Sequence, residues 1–272
     1  MSSATGPLVA DTITKLPPEA AGAVVVSGSH GGRYPGYLAA KAGLRAVILC
    51  DAGIGLDGAG VAALPYLDAL GIAAATVSHL SCRIGDTGDM LARGRISRAN
   101  AVAAACGVAP GQGTAEAAAR LEAAPLVQAD PPSLGESRSE LPGSGPRRIL
   151  LLDSAALVRP EDAGKIVVTG SHGGLVGGNP AMALRVDGFA AVFNDAGIGI
   201  DEAGIQRLPA LDARGIAALT VAAATARIGE ARSSFEQGII SAVNETARRL
   251  GGAVGVPARA VLLAWSEAAA VS

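Results

Sequence analysis

Aromatic side chains are scarce in this chain: one Trp, three Tyr and three Phe, 3% of 272 residues. Base-stacking nucleic-acid platforms and Trp- or Tyr-anchored partner interfaces have little to build on. Charge is sparse too, at 17%. Twenty-two Lys+Arg against 24 Asp+Glu leave a formal net charge of −2, with no basic surplus to meet a phosphate backbone. No apolar run approaches the roughly 20 uninterrupted residues of a membrane span. Cys50, Cys82 and Cys106 are odd in number and lack paired spacing, which excludes a disulfide framework and favours a reduced cytoplasm. Their ordinary role is that of a small hydrophobe. Met1 to Pro7 lacks the basic and apolar regions of a signal peptide.

What is present is Ala, Val, Leu and Ile in quantity, half the chain being hydrophobic, with 37 Gly for tight turns. A cytoplasmic α/β protein is expected, as one large domain or two fused halves.

The chain is internally self-similar. Residues 8–32 align without gaps on 150–174, with 13 of 25 positions identical, and 46–107 align on 190–251, with 29 of 62 identical. Val24-Val25-Val26-Ser27-Gly28-Ser29-His30-Gly31-Gly32 matches Ile166-Val167-Val168-Thr169-Gly170-Ser171-His172-Gly173-Gly174. Asp51-Ala52-Gly53-Ile54-Gly55 followed by Asp57 matches Asp195-Ala196-Gly197-Ile198-Gly199 followed by Asp201. The expected organisation is a first α/β repeat over 8–121, a flexible linker over 122–148 rich in Pro, Gly, Ser and Glu, and a second repeat over 149–272. The two repeats are expected to share an interface about an approximate two-fold axis.

Each repeat alternates strand and helix patterns. Strands are expected at Leu8–Ile13, Ala23–Ser27, Ala46–Cys50 and Ile72–Val77. Helices are expected around Gly36–Ala42, Gly60–Leu70 and Ala92–Ala105. Continuous β-branched runs such as Ala23–Ser27 suit strands buried on both faces. The fold class is therefore α/β: a tandem duplication of a parallel-sheet βαβ unit, Rossmann-like and three-layered, with about four strands per repeat.

Ligands of open parallel sheets bind beyond the carboxyl ends of the strands. Asp11, Ser29, His30, Asp51 and Ser78 to Arg83 fall there in the first repeat; Asp153, Ser171, His172, Asp195 and Arg227 fall there in the second. Only three His exist, and two occupy matching places. Imidazole titrates near neutrality, so His30 or His172 is a candidate general base. It would act on water or on the Ser29 or Ser171 hydroxyl, with Asp51 or Asp195 fixing the imidazole tautomer. Ser29 paired with His172 across the pseudo-two-fold is geometrically easier than a dyad of adjacent residues. The N–H groups of Gly31, Gly32, Gly173 and Gly174 are candidate oxyanion and substrate donors. Each loop has a plainer reading, as a strand-to-helix turn whose Asp caps backbone N–H groups.

Arg83-Ile84-Gly85 recurs as Arg227-Ile228-Gly229, so Arg83 and Arg227 are candidate forks for a carboxylate or phosphate; pinning a loop would use them equally well. Ser97 with Asn100, and Ser241 with Asn244, are expected to share a helical face. Asp57 and Asp201 are expected as helix N-caps. Ser78-His79 becomes Ala222-Ala223 in the second repeat. His79 is therefore an added substrate-binding candidate, with the first repeat holding the competent site; the alternative is two equivalent sites with His79 a surface residue. Asp11, His30 and Asp51 are candidate ligands for a divalent metal cofactor, without a diagnostic local spacing.

The reading that follows is a small-molecule enzyme, a hydrolase acting on an amide, lactam or ester carbonyl in the cleft between repeats. Its partners would be a small-molecule substrate and another copy of itself in a homo-oligomer, with no nucleic acid and no membrane. A lyase or isomerase working by proton transfer, a non-catalytic phosphate- or carboxylate-binding module, and a structural protein are the alternatives.

Overall fold

The computed structural model describes residues 6–268. Two compact units emerge: among the described residues, one comprises 6–52, 60–134 and 199–201, the other 53–59, 135–198 and 202–268. The expected linker is divided between them, and each unit takes in a short segment from the distant half of the sequence. Both are α/β, with mixed sheets whose strands are mostly parallel.

In the first unit, β1 (Leu8–Ala10), β2 (Val24–His30), β3 (Ala46–Cys50), β4 (Ala73–Val77) and β5 (Ile96–Ala99) lie side by side in chain order. The first four are parallel, and β5 closes the edge antiparallel to β4. Successive residues of β2 and β3 enter opposite cores. Val24, Val26, Ala46 and Ile48 face one way, and Val25, Val47 and Leu49 the other. This is why these strands read as unbroken apolar runs rather than alternating ones. On one face the sheet carries α1 (Arg33–Lys41) and α2 (Ala63–Asp68), whose Ala39, Ala40, Leu64 and Leu67 fill that core. Strands in chain order with right-handed crossovers place both connecting helices on the same side. The other face is covered by α3 (Thr87–Arg93), α4 (Ala101–Ala105) and α5 (Thr114–Leu121) through Met90, Ala103, Ala117 and Leu121. The parallel strands are added in one direction across the sheet and the strand order never doubles back, so the switch-point crevice of a doubly wound sheet is absent from the described part of this unit.

The expected helix over Ala92–Ala105 is instead the strand β5 followed by α4. Asn100 makes the break. Its side-chain oxygen caps α4 by accepting from Ala103 N–H and also accepts from Ala74 N–H, while its amide donates to Ile72 C=O. Three bonds at a 6% exposed position satisfy the group and tie α4 to β4. Ser97 consequently lies on a strand, where its hydroxyl meets Thr76 Oγ1 at 3.0 Å, and shares no helical face with Asn100.

In the second unit the order is β11-β10-β9-β8-β7-β6, from β6 (Arg138–Glu140), β7 (Ile149–Leu152), β8 (Ile166–His172), β9 (Ala190–Asn194), β10 (Ala217–Val221) and β11 (Ile240–Val243). Both edges, β6 and β11, pair antiparallel. Part of the expected linker is thus the strand β6. The unit's helices are α6 (Arg207–Asp212), α7 (Ala231–Glu236), α8 (Glu245–Arg249) and α9 (Ala258–Glu267). Where α1 stands in the first unit, this one has two 3-10 turns, Val176–Gly178 and Pro180–Met182. Gly177-Gly178-Asn179-Pro180 cannot continue a helix, since glycine is entropically costly there and proline lacks the N–H. Asn244 repeats the Asn100 pattern, bonding Ala218 N–H, Ala247 N–H and Ile216 C=O, so Ser241 and Asn244 likewise do not share a helix. No helix among the described residues is long and apolar enough to cross a membrane.

Candidate functional site

The Gly-Ser-His-Gly-Gly segment is mostly strand. Its first three residues complete β2, and its glycines serve close packing. A Cβ at Gly28 would stand 2.8 Å from Asp11 O and 2.9 Å from Gly85 Cα, and one at Gly31 would stand 2.6 Å from Gly60 O. The donors expected for an oxyanion are committed elsewhere: Gly31 N–H to Cys50 C=O, Gly32 N–H to His30 Nδ1, and Gly173 N–H to Asn194 C=O. Gly174 offers its carbonyl to Arg207 Nε. The N–H groups of Gly31, Gly32 and Gly173 are therefore not free to serve as the expected oxyanion donors.

The serines also have fixed tasks. Ser29 Oγ accepts Ile13 N–H at 3.0 Å, and Ser171 Oγ accepts Ala155 N–H at 2.9 Å, each holding the turn after the first strand of its repeat. Asp11 accepts from the backbone and hydroxyl of Thr87, and Asp153 from Ala231 N–H, so both tie a strand end to a following helix.

His30 ends β2 opposite Cys50 in register. Burial pushes its imidazole down to about 4, so it is neutral at pH 7. With Nδ1 accepting from Gly32, its proton sits on Nε2. His172 is buried at the end of β8, opposite Asn194. His30 bonds the Gly32 backbone and, among the described residues, no Asp, contrary to the expected arrangement. Asp11, His30 and Asp51 are likewise engaged separately, and no three His, Cys, Asp or Glu side chains among the described residues are grouped to hold a metal ion.

The imidazole that Asp51 does meet is His79, in the loop after β4. His79 Nδ1 lies 2.8 Å from Asp51 Oδ1, and the same oxygen accepts His79 N–H at 2.9 Å. The Asp51 side chain is 3% exposed and that of His79 is 17% exposed. Burial alone would raise the Asp51 carboxyl. The His79 side chain and backbone, the His79 charge and the Ser97 hydroxyl outweigh it and bring it below the ordinary carboxylate value. An ionised Asp51 requires a proton on Nδ1, which turns the Nε2 lone pair away from the carboxylate. Among the described residues Nε2 has no hydrogen-bond partner. In the second repeat Ala223 stands at the matching position. There Asp195 Oδ1 accepts Ala223 N–H at 2.8 Å and Gly197 N–H at 2.9 Å, and so caps backbone.

The chain leaves Asp51 and Asp195 through unusual backbone. Ala52, Gly53, Ile54 and Gly55 have φ of 46°, 74°, 63° and 71°; Ala196, Gly197, Ile198 and Gly199 have 50°, 78°, 62° and 73°. Left-handed conformation costs L residues roughly 1–2 kcal/mol each and is a true outlier for a β-branched Ile. Strain of this kind persists where the surroundings over-determine it, and it concentrates at functional sites. In the first unit, Gly199 and Ile200 lie against the His79 backbone, with Ile200 N–H donating to His79 C=O at 2.9 Å. A Cβ at Gly199 would meet that carbonyl oxygen at 2.8 Å, so both its φ and its surroundings demand glycine. Leu80, next to His79, is 67% exposed and offers apolar surface beside the imidazole.

The two arginines face carboxylates. Arg83 contacts Asp89 at 3.0 Å, Asp86 at 3.4 Å and Asp201 at 3.7 Å. Arg227 contacts Asp57 at 2.6 Å and Glu230 at 3.6 Å. Their forks are occupied as loop pins. Asp57 and Asp201, at φ of 54° and 55°, are left-handed ion-pair partners and not helix N-caps. Sequence reasoning overlooked both these ion pairs and the Asp51–His79 pairing. The substitution of Ala223 for His79 was the one signal that could have found the latter.

In comparisons with protein-family models, curated proteins and solved structures, nothing matches this chain.

Proposed function

We propose that the chain is a small-molecule hydrolase in which His79, oriented by Asp51, activates water against an amide, lactam or ester carbonyl. The observation that carries this reading is the Nδ1–Oδ1 contact between an ionised, buried carboxylate and an imidazole that keeps Nε2 and part of its edge accessible. Nε2 takes one proton from water as the oxygen attacks, and the imidazolium formed is stabilised by Asp51. The same proton then passes to the departing nitrogen or oxygen. Ser29, Ser171, His30 and His172 have no part in this step, and the second repeat, with Ala223, supplies no second base.

A second reading uses the same base to remove a C–H proton in a lyase or isomerase reaction. The commitment of the glycine amides to internal acceptors favours keeping it in view, because an acyl-transfer site needs oxyanion donors. We infer also that the two units descend from one duplicated βαβ unit, which the matched bonding of Asn100 and Asn244 supports.

The test is turnover of a panel of small cyclic amides, lactones and esters by the wild-type protein and by His79→Asn. Asn keeps a donor for Asp51 but has no base. Hydrolysis lost in His79→Asn with unchanged circular dichroism supports the hydrolase. Incorporation of solvent deuterium into unhydrolysed substrate supports proton transfer. Equal rates for the two proteins remove His79 from the chemistry.

A further inference from the structure

A second feature lies at the β6 edge of the second unit, within that unit alone. A cavity of about 340 Å³ is lined by Arg138, Ser139, Glu140, Leu150, Arg159 and Lys165. Three of the six lining residues are cations and one is an acid. The three cations are not alike. Arg138 is spent: both Nη nitrogens fork onto Asp162 at 2.9 and 2.8 Å, and Nη1 also reaches Leu157 C=O. Asp162 is completely buried and further accepts Arg159 N–H at 2.8 Å. Burial would raise its carboxyl, but Arg138, the Arg159 backbone and the Lys165 charge outweigh this and hold it below the usual range. Asp162 is thus a fixed charge that sets the turn carrying Arg159 and Lys165.

Those two cations keep their donors. Lys165 Nζ stands 3.7 Å from Asp162 Oδ1, too far for a hydrogen bond, and Arg159 Nη1 stands 3.9 Å from Glu161 at a pair 61% exposed on both sides. Glu140, the one acid on the wall, is itself paired with Arg148. A concave site with an apolar floor at Leu150, a hydroxyl at Ser139 and two cations short of acceptors suits an oxyanion that both can reach. We propose that this cavity binds a small anion, phosphate or carboxylate, between Arg159 and Lys165. Arg138 and Asp162 act as positioning residues and do not touch the ligand. The site is independent of the Asp51–His79 pair.

The experiment titrates inorganic phosphate, and separately citrate as a polycarboxylate, into the full-length protein by calorimetry, with sodium chloride matched for ionic strength. The expected result is saturable one-to-one binding of at least one of the two anions. Arg159→Gln and Lys165→Gln should each weaken it about tenfold or more, and His79→Asn should leave it unchanged. Phosphate without citrate identifies a phosphoryl ligand, and the reverse a carboxylate; either supports the site. Heats no larger than those of chloride overturn the proposal, as does binding that both Gln variants retain. Since Lys165 also faces Asp162, the Arg159→Gln variant, which keeps the buried ion pair intact, decides if Lys165→Gln unfolds.

Discussion

His79 Nδ1 sits 2.8 Å from Asp51 Oδ1, whereas the aligned carboxylate, Asp195, accepts among the described residues backbone N–H groups alone, from Ala223 and Gly197. The capping role is common to both residues, and the imidazole is added in one. An Asp that serves as a cap can orient a base at no further burial cost, because the backbone already holds its carboxylate. This predicts an asymmetry. Asp51→Asn presents an amide to Nδ1, favours the wrong tautomer, and should lower turnover about 10²- to 10⁴-fold. Asp195→Asn should cost roughly 1 kcal/mol of stability as a weakened cap and leave turnover unchanged. Steady-state kinetics and urea unfolding on the two variants check this; equal kinetic losses would count against a single competent site.

Two titrating groups give opposite slopes of stability against pH. Burial holds His30 at about 4, against 6.5 for a free imidazole. Between these values the unfolded chain binds the extra proton, so stability is fully present above pH 6.5 and is lost as pH falls toward 4, by up to about 3 kcal/mol. His30→Asn, whose Oδ1 can accept from Gly32 N–H in place of Nδ1, should flatten the profile in that window. Urea midpoints at pH 4.5 and 7.5 measure it, and an unchanged slope in the variant would place the linkage elsewhere.

Glu136 acts the other way. Burial first, and the Asp153 charge second, raise its carboxyl to about 7 against the Ser154 hydroxyl, from an ordinary 4.5. Here the folded chain holds the extra proton, so stability falls as pH rises from 4.5 to 7 and stays low above. Glu136→Gln should gain roughly 1–2 kcal/mol at pH 8, after discount for solvent screening, and almost nothing at pH 4.5. Thermal melts at the two pH values test it; a gain at both would indicate a packing effect.

The fold was legible where strands are buried on both faces. Ala46–Cys50 coincides with β3, because Ala-Val-Ile-Leu-Cys must bury every side chain. Edge structure was not. Ile96-Ser97-Arg98-Ala99 is a four-residue strand with one buried and three more exposed positions, and it runs directly into the Ala-rich stretch 99–105 that reads as helix. Only Asn100, bonding to β4, decides between them, and that contact is tertiary. The site was half legible. Retention of Asp51 and Asp195 marked the strand ends, but the matching of His30 with His172 drew attention to imidazoles at the ends of packed strands. The one beside the carboxylate, His79, is unmatched. The repetition marks matched strand ends, while the proposed base lies where the two halves of the sequence differ.

The left-handed turns offer a way to measure strain apart from function. Ile198, at φ 62° and 37% exposed, has the unfavourable conformation with modest burial. Ile198→Gly removes a cost of roughly 1–2 kcal/mol and gives back up to about 1 kcal/mol in unfolded-state entropy and lost contact. Stability should therefore hold or rise, where an ordinary strand Ile→Gly would lose several kcal/mol. Guanidinium unfolding decides it, and a large loss would mean that the Ile198 side chain is itself a packing element.

Arg207 is the sharpest departure from ordinary burial rules in the second unit. Its residue is 4% exposed, and no carboxylate among the described residues lies within ion-pair reach. Nε donates to Gly174 C=O at 3.0 Å, Nη1 donates to Ala183 C=O at 2.6 Å, and the guanidinium lies 4.9 Å from the centre of the Phe193 ring. Burial lowers it to about 10, which still leaves it charged at neutral pH. The first repeat has Ala63 here, against which Gly36 of α1 packs. In the second unit that helix is replaced by 3-10 turns, and the arginine donates to the carbonyls of Gly174 and Ala183 on either side of them. Removing a buried charge is favourable, whereas orphaning two buried carbonyls costs about 1–3 kcal/mol each. The second effect should win because one guanidinium serves both carbonyls, one of them at 2.6 Å, and also lies over the Phe193 ring. Arg207→Met is thus expected to lose roughly 2 kcal/mol, and Arg207→Lys nearly as much, since one ammonium cannot span two carbonyls. Hydrogen exchange should show the loss concentrated in 174–188. A fully stable Arg207→Met would mean instead that the buried charge had been the dominant cost.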